Sequence, residues 1–231
     1  YQQALSIRMQ QLGAQHLDVA ESLHGLAGLY RMQGKYAQAE PLYQQALSIR
    51  EQQLGTEHLD VAESVNGLAV LYEKQGRHKE AQALTQQALR IREQQLGSEH
   101  LMVAESLNDL AVLYEKLEKY VEGEPLYLRA LHIWEQQLGA DNPMVAYPLV
   151  GLATIYRKQG RYVEAEPLYL RALQIREQRL GKMHRNLVGP LTGLAHLYRE
   201  QGRHMEAEAL YRRTLQIGEQ QLGDSHPLLA N

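Results

Sequence analysis

The sequence contains no cysteine, and none of its 231 residues belongs to a long apolar run. Without cysteine, the chain can build neither a disulfide framework nor a metal site with thiolate ligands. No stretch approaches the roughly 18 consecutive apolar residues that a membrane-spanning helix needs, and no signal-peptide pattern opens the chain. Together these absences favour a cytoplasmic protein without a membrane partner.

An excess of positive charge is also missing. The formal net charge is -3 and the pI is near 6.4, so no electrostatic attraction to nucleic acid or to an anionic membrane surface is expected. A helical-repeat protein that binds RNA should instead present a basic groove. We therefore expect no nucleic-acid partner.

What the sequence does contain is a unit that recurs every 42 residues. The glycines that close successive units are Gly13, Gly55, Gly97, Gly139, Gly181 and Gly223. A fixed period in this range predicts a solenoid, in which each unit buries its apolar face against the next one. This repeat overrides the one or two globular domains that the length alone would suggest.

The repeat divides the chain into one predicted elongated domain, residues 1–231. A lone second helix at 1–13 precedes five complete repeats, and residues 224–231 resemble the start of a further one. The complete repeats occupy 14–55, 56–97, 98–139, 140–181 and 182–223.

Apolar spacing predicts two helices in each repeat. In the second repeat, Val61, Val65 and Leu68 follow helical periodicity, and the second half of the repeat does the same. The short segment ending at Gly76 fits a turn between helices. Each repeat is thus predicted to be an antiparallel helix pair, with a second helix of about 18 residues and about 27 Å.

Helix ends and prolines give finer expectations. Asp18 with Glu21, and Asp60 with Glu63, have the spacing of an N-terminal capping box. Several prolines fall inside predicted helices, where the helix must either begin late or bend. Those near the sixth residue of second helices are Pro41, Pro125 and Pro167, and those in first helices are Pro148 and Pro190. We expect superhelical curvature to change at the last two.

The pattern resembles the tetratricopeptide repeat (TPR). The residues that carry the resemblance in the second repeat are Leu68, Ala69, Tyr72, Gly76, His78 and Ala81. The long period and the Ser-Leu-Asn-x-Leu-Ala opening at 106–111 are similar to the kinesin light chain variety of this repeat. The resemblance implies an all-α, right-handed superhelical solenoid of antiparallel helix pairs that binds proteins or peptides.

Chemistry-bearing motifs are absent from the sequence. Five of the histidines recur at one repeat position: His16, His58, His100, His184 and His226. Packed helices lie about 8–10 Å apart, so such a ladder cannot converge on one ion, and we interpret these residues as linker or capping groups. No nucleotide-binding, zinc-protease or serine-hydrolase motif occurs. We expect no enzyme, no metal and no cofactor.

The tyrosines also follow the repeat, which predicts core packing in place of a stacking platform for single-stranded nucleic acid. The two rows are Tyr30, Tyr72, Tyr114, Tyr156 and Tyr198, then Tyr43, Tyr127, Tyr169 and Tyr211. Two aromatics break the pattern, because Tyr147 replaces a recurring glutamate and Trp134 replaces a recurring arginine. Each is either an exposed contact for a partner or an ordinary packing residue.

By resemblance, the concave side lined by first helices is the binding surface. Asn66 and Asn108 match the family's peptide-binding asparagines, which bond to the backbone of an extended ligand. The alternative is that both bond to a neighbouring helix. The lysine and asparagine set that clamps a C-terminal carboxylate in some family members is missing, with His24 and Gly28 at two of its positions.

The other candidate binding residues divide by charge. Glu63 and Glu105 belong to an acidic row in the first three repeats, so this half is expected to favour basic ligand segments. The last two repeats are basic, which favours acidic segments. The remaining candidates are Val70, Val112, Tyr147, Arg157, Lys158 and Arg199.

Two functions of different classes are compatible with these features. The first is a non-enzymatic scaffold that binds a peptide or protein segment along the concave groove. The second is a regulatory or structural segment of a larger signalling protein, which packs against that protein's own effector domain. Sequence beyond the two ends would distinguish them.

The ends of the array lead to a testable expectation. The chain begins at Tyr1, already inside a repeat, so we expect it to be a piece of a longer protein. Without polar capping helices, Leu5 and Leu12 at one end and Leu228 and Leu229 at the other leave apolar surface uncovered. End-to-end association should therefore increase with concentration in sedimentation equilibrium. A monomer throughout the concentration series would contradict this.

Overall fold

A computed structural model describes residues 2–222, and all regular structure within them is helical. The chain divides into two compact units, Tyr1–Lys119 and Tyr120–Asn231. The first contains α1 (Gln2–Leu12), α2 (Leu17–Met32), α3 (Tyr36–Leu54), α4 (Leu59–Lys74), α5 (His78–Leu96) and α6 (Leu101–Lys116). The second contains α7 (Tyr120–Leu138), α8 (Ala146–Lys158), α9 (Tyr162–Leu180), α10 (Val188–Glu200) and α11 (His204–Leu222).

Each unit is built from helices that pack in consecutive pairs. The pairs are α2 with α3 and α4 with α5 in the first unit, and α8 with α9 and α10 with α11 in the second. Turns of three residues join the partners, for example 33–35, which forces an antiparallel arrangement. The predicted all-α architecture of stacked helix pairs is confirmed. The tail at 224–231, with its predicted helix start, lies outside the described residues.

The internal prolines do not delay the second helices. Pro41 is the sixth residue of α3, yet α3 has 19 residues, as does α5, which has alanine at the same place. In the first helices of the last two repeats, the prolines do change the helix start. Pro148 and Pro190 are third in α8 and α10, and a 3-10 turn precedes each of these helices. If α8 began at Pro143, as α4 begins at the equivalent Leu59, Pro148 would be its sixth residue and would lack the N–H for a helical hydrogen bond to Met144. The 3-10 turn places each proline in the first turn of its helix, where no such hydrogen bond is needed.

Histidines, and not aspartates, cap the first helices, so the predicted capping box is wrong. His16 Nδ1 accepts a hydrogen bond from the backbone N–H of Asp18 at 3.1 Å. His58, His100 and His184 do the same, and Asn142 replaces the histidine with its own side-chain oxygen. The capping role proposed for this histidine row is confirmed, apart from His226, which lies outside the described residues.

A tyrosine ring packed on a glycine joins successive repeats. Tyr43 of α3 is 2% exposed, and a Cβ added to Gly67 of α4 would lie 2.6 Å from its ring. Tyr169 of α9 is fully buried, and a Cβ on Gly193 of α10 would lie 2.5 Å from its ring. Tyr127 and Gly151 form the same pair in the second unit. The ring can approach the next helix this closely only because the glycine has no side chain.

One repeat junction lacks this pair. At the tyrosine position α5 carries Thr85, and at the glycine position α6 carries Asp109. A tyrosine ring there would meet the Cβ of Asp109, since glycine is what admits the ring elsewhere. Asp109 is therefore compatible with Thr85 but would not be compatible with a tyrosine at position 85.

A second contact between repeats is polar. The Tyr72 hydroxyl donates to Glu40 Oε1 at 2.9 Å, Arg77 Nη1 donates to the same oxygen at 3.1 Å, and the Arg77 guanidinium stacks 3.6 Å from the centre of the Tyr72 ring. Partial burial works against ionisation of Glu40, but these hydrogen bonds outweigh it and lower the pKa of the carboxyl. We call this arrangement the tyrosine–carboxylate clamp. It recurs at Tyr156, Glu124 and Arg161, and at Tyr198, Glu166 and Arg203.

The clamp is weaker around Tyr114. Neutral Gln82 and Gln86 donate to its hydroxyl at 3.4 and 3.0 Å, and Lys119 takes the place of the stacked arginine. The adjoining turn has Glu118 at φ 57°, where the other turns have glycine. A residue with a Cβ is strained in this left-handed conformation, by about 1 kcal/mol.

Buried arginines link second helices to the following first helices. Arg50 Nη1 donates to Ser64 Oγ and to the Asp60 carbonyl, both at 2.9 Å, and Arg92 binds the equivalent groups of α6. Trp134, which replaces arginine in this row, is 2% exposed. It is therefore a packing residue and not a surface contact.

The tyrosine–glycine pair predicts an unusual cost for a small substitution. Gly193→Ala should destabilise the chain by about 1 to 2 kcal/mol, because overpacking against the Tyr169 ring exceeds the helical benefit of alanine. Gly189→Ala is the matched control in the same helix, since an added Cβ there meets nothing within 4 Å. It should be neutral or stabilising in urea denaturation. Equal effects of the two substitutions would contradict this account.

Candidate functional site

The predicted groove positions of the first unit line two cavities. The first, of about 650 Å³, lies among the ends of α1 to α4. Its charged side chains largely neutralise one another, since Arg8 lies 3.4 Å from Glu21 and Arg50 lies 2.9 Å from Glu63. This cavity is therefore polar, but few of its charges lack a partner.

His24 occupies the wall of this first cavity. Its ring packs edge-on against Tyr43, with 5.1 Å between centroids, and its Nδ1 is buried without a hydrogen-bond partner in the described part of the chain. Burial is the main cause that lowers the pKa of His24, and Arg50 and Arg31 act in the same direction against Glu63. The side chain thus contributes a neutral surface.

The second cavity, of about 240 Å³, lies at the junction that lacks the tyrosine–glycine pair. We call it the Asp109 pocket. Its walls come from α4, α5 and α6, and its lining residues are Asn66, Ala69, Val70, Glu73, Lys74, Thr85, Asp109, Val112 and Leu113. Three predicted site residues, Asn66, Val70 and Val112, therefore meet in one cavity.

The two candidate asparagines have free acceptor capacity. The buried Oδ1 atoms of Asn66 and Asn108 accept no hydrogen bond from any residue between 2 and 222. For the two oxygens, no bond to a neighbouring helix exists among these residues, whereas the amide group of Asn108 forms a hydrogen bond to Asp109 of its own helix. A buried amide oxygen without a donor is costly. Both oxygens are shielded from solvent in this conformation, so a ligand N–H can reach them only after the side chains rotate toward the groove.

Asp109 is the carboxyl of the pocket that is hardest to ionise. Its pKa rises from 3.8 to about 6, first because of burial and then because Glu105 and Glu73 repel its charge. Arg92 and a hydrogen bond from Asn108 offset only part of this. Within 4.0 Å, no cationic side chain among the described residues forms an ion pair with it. By contrast, Glu73 is paired with Lys74 at 3.3 Å and also with Lys116.

The remaining candidate binding residues lie outside the Asp109 pocket. Glu63 lines the first cavity, whereas Asn108 and Glu105 line neither one. In the second unit, Lys158 and Arg199 are exposed, and Tyr147 is 45% exposed with the Arg176 guanidinium 4.8 Å from its ring centre. Arg157 is largely buried, and its Nη1 lies 2.5 Å from Glu200 Oε1.

Sequence reasoning missed the importance of Thr85 and Asp109. The signal was present as two gaps in otherwise regular rows, one in the tyrosines and one in the glycines. Only the three-dimensional pairing of the rows shows that both gaps open the same space. Glu73 and Lys74 also belong to the pocket, at lining positions that the family resemblance indicates.

A family model described as tetratricopeptide repeat matches residues 1–52, 30–94, 60–122, 102–178 and 188–231. Together with the stacked helix pairs, these matches show that the chain belongs to the tetratricopeptide repeat family. Such repeats generally serve as scaffolds for protein–protein interaction. None of the described helices is long and apolar enough to cross a membrane, and in the same region no group of three or more potential ligands could hold a metal ion.

Solved structures support the kinesin light chain-like character of the repeats. BtubC (BKLC) from P. vanneervenii shares 27% identity with a TM-score of 0.76, over 98% of this chain and 89% of that one. A Podospora anserina protein, described as a kinesin light chain with nearly identical TPR-like repeats, shares 27% identity with a TM-score of 0.72 over 89% and 98%. Pseudomonas aeruginosa pilF, at 19% identity, TM-score 0.63 and coverage of 88% and 78%, shows the fold alone. A search of curated proteins gave no significant match.

The raised pKa of Asp109 predicts a pH-dependent stability difference. Above a pH of about 6 the folded chain must ionise this carboxyl, at a cost of up to about 3 kcal/mol for a difference between 3.8 and 6. Asp109→Asn removes that cost, so it should stabilise the chain near about pH 8. At about pH 3.5 the gain should vanish, because Asp109 is then protonated in both states.

Urea denaturation of both chains across this pH range measures the difference. Asp60→Asn is a control, since Asp60 lies on α4 with an exposed side chain. A gain for Asp109→Asn that is the same at every pH would contradict the assignment.

Proposed function

We propose that this chain is a non-enzymatic, cytoplasmic scaffold that binds an extended peptide or protein segment along the first helices of its repeats. The observation that carries the proposal is the Asp109 pocket, where predicted groove residues from α4 and α6 converge. An extended segment lying across these two helices would contact both at once.

The chemistry of the groove suits a peptide backbone. The Oδ1 atoms of Asn66 and Asn108 have no donor within the described part of the chain. After rotation toward the groove, they can accept from peptide N–H groups while the amide nitrogens donate to peptide carbonyls. Val70 and Val112 supply apolar surface in the same pocket, so side chains and backbone of a ligand can be recognised together.

The comparisons support the same reading at a coarser level. The family generally forms interaction scaffolds, and a solved structure at 27% identity is described by kinesin light chain TPR-like repeats. The charge of the second unit adds Lys158 and Arg199 as exposed cations for an acidic part of the partner. Tyr147 offers a half-exposed ring beside Arg176.

Peptide selection tests the proposal. A display library of random dodecapeptides is selected on the purified chain, and the affinity of enriched peptides is measured by fluorescence anisotropy. Asn66→Ala/Asn108→Ala should weaken binding about tenfold or more, since each asparagine contributes roughly 0.5–1.5 kcal/mol of net hydrogen bonding.

The matched control replaces two exposed side chains of a second helix, as Gln45→Ala/Gln52→Ala. This variant should bind the selected peptides as the original chain does. If both double variants bind equally well, the partner surface lies elsewhere than on the first helices. If no peptide is enriched at all, the chain is not a binder of linear segments.

A further inference from the structure

We propose that the Asp109 pocket is a recognition pocket for one lysine or arginine side chain of the bound partner. The inference rests on the proposed function, which brings an extended segment across α4 and α6. It adds a definite chemical requirement, namely a basic residue at the position of the segment that lies over Thr85.

The pocket exists because of two linked substitutions. At other junctions a buried tyrosine ring fills the space above the glycine of the next first helix. Here Thr85 stands in place of the tyrosine, and the side chain of Asp109 fills only part of the space that a ring fills elsewhere. The remaining cavity, of about 240 Å³, is lined by α4, α5 and α6 and is large enough for a long side chain.

The walls and the acidic group are arranged as a basic side chain requires. Ala69, Val70, Val112 and Leu113 present apolar surface, along which the methylene stem of lysine or arginine can pack. Asp109 adds a carboxyl group to the same cavity. A basic residue buries its stem on such walls while its charged head pairs with the acid.

The surrounding charges favour a cation over an anion. The charged groups that face Asp109 are Glu73, Lys74, Arg92, Glu105 and Lys116. Glu73 is satisfied by Lys74 and Lys116, and Arg92 donates to the Met102 carbonyl and to Ser106 Oγ. Asp109 is thus the charge that a ligand can still neutralise, and an acidic side chain would be repelled by it.

The asparagines fix where the basic residue enters. Asn66 lines the pocket and Asn108 adjoins Asp109 in the sequence, and both have an unbonded buried Oδ1. After these side chains rotate toward the groove, backbone N–H groups of the segment can donate to the two oxygens while one basic side chain enters the pocket. Recognition of the backbone and of the basic side chain would therefore be coupled.

Small cations test the pocket without a peptide. n-Butylguanidinium and n-butylammonium reproduce the head and stem of the two basic side chains, and neutral n-butylurea is the isosteric control. In NMR titrations the cations should shift the backbone amides of Val70, Asp109 and Val112, and butylurea should bind at least tenfold more weakly. Cation binding should strengthen from about pH 5 to about pH 7, because Asp109 must be ionised.

Two variants separate the charge from the cavity. Asp109→Asn keeps the cavity and should weaken cation binding at least tenfold, with no remaining pH dependence in this range. Thr85→Tyr/Asp109→Gly restores the pair found at the other junctions, so it should fold normally and lose binding altogether. Equal binding of butylurea and the cations, or cation binding unaffected by Asp109→Asn, would overturn the inference.

Peptide selection then separates this inference from the proposed function. Peptides enriched on the original chain should share one lysine or arginine, and those enriched on Thr85→Tyr/Asp109→Gly should not. Peptides that depend on the two asparagines but show no basic residue would refute the pocket assignment and leave the scaffold function intact. Cation binding without any enriched peptide would support the pocket and refute peptide binding.

Discussion

The packing of a tyrosine ring on the glycine of the next first helix is the constraint that organises this chain. It decides how closely one helix pair can approach its neighbour, because the ring is buried and the glycine has no side chain to move aside. The tyrosine–carboxylate clamp and the buried arginines act at the same junctions and add polar specificity to this apolar contact.

Between α5 and α6, where the described residues lack the tyrosine–glycine contact, the chain has gained a cavity at a thermodynamic cost. Losing a ring removes apolar burial. Burial of the Asp109 carboxyl, and then the nearby Glu105 and Glu73, raise its pKa and disfavour its charge. Natural sequences tolerate such local costs chiefly at functional sites, where the residue is needed for something other than stability. Thr85 and Asp109 also occur together, because a tyrosine ring at position 85 would meet the Cβ of Asp109. This pairing likewise indicates a functional site.

Much of the architecture could be predicted because it repeats. Helical periodicity, the glycine turns and the recurring histidines are each present several times, so the helix pairs and the capping role of the histidines were predictable from spacing alone. The capping box was wrong because Asp18 is the second residue of α2, and His16, two residues before it, supplies the acceptor. The two departures that create the Asp109 pocket, Thr85 and Asp109, are visible in the sequence, but the pocket was not predicted because the spacing of the rows does not show that the two positions face each other. Trp134 was ambiguous for a related reason, because replacing one buried arginine leaves no periodic signal of burial.

The weakened clamp at Tyr114 has a consequence for how the native chain fluctuates. Neutral glutamines replace the carboxylate there, lysine replaces the stacked arginine, and the strained Glu118 follows in the turn. Local opening reactions begin where the fewest interactions must be broken, and they need not involve the whole chain. Amide protons around this turn should therefore exchange with solvent through a sub-global opening. Amide protons in the repeats that contain the Arg161 and Arg203 clamps should exchange only through a larger unfolding reaction. The repeat array would then unfold in two steps instead of in one cooperative transition, and the segment around this turn would open first.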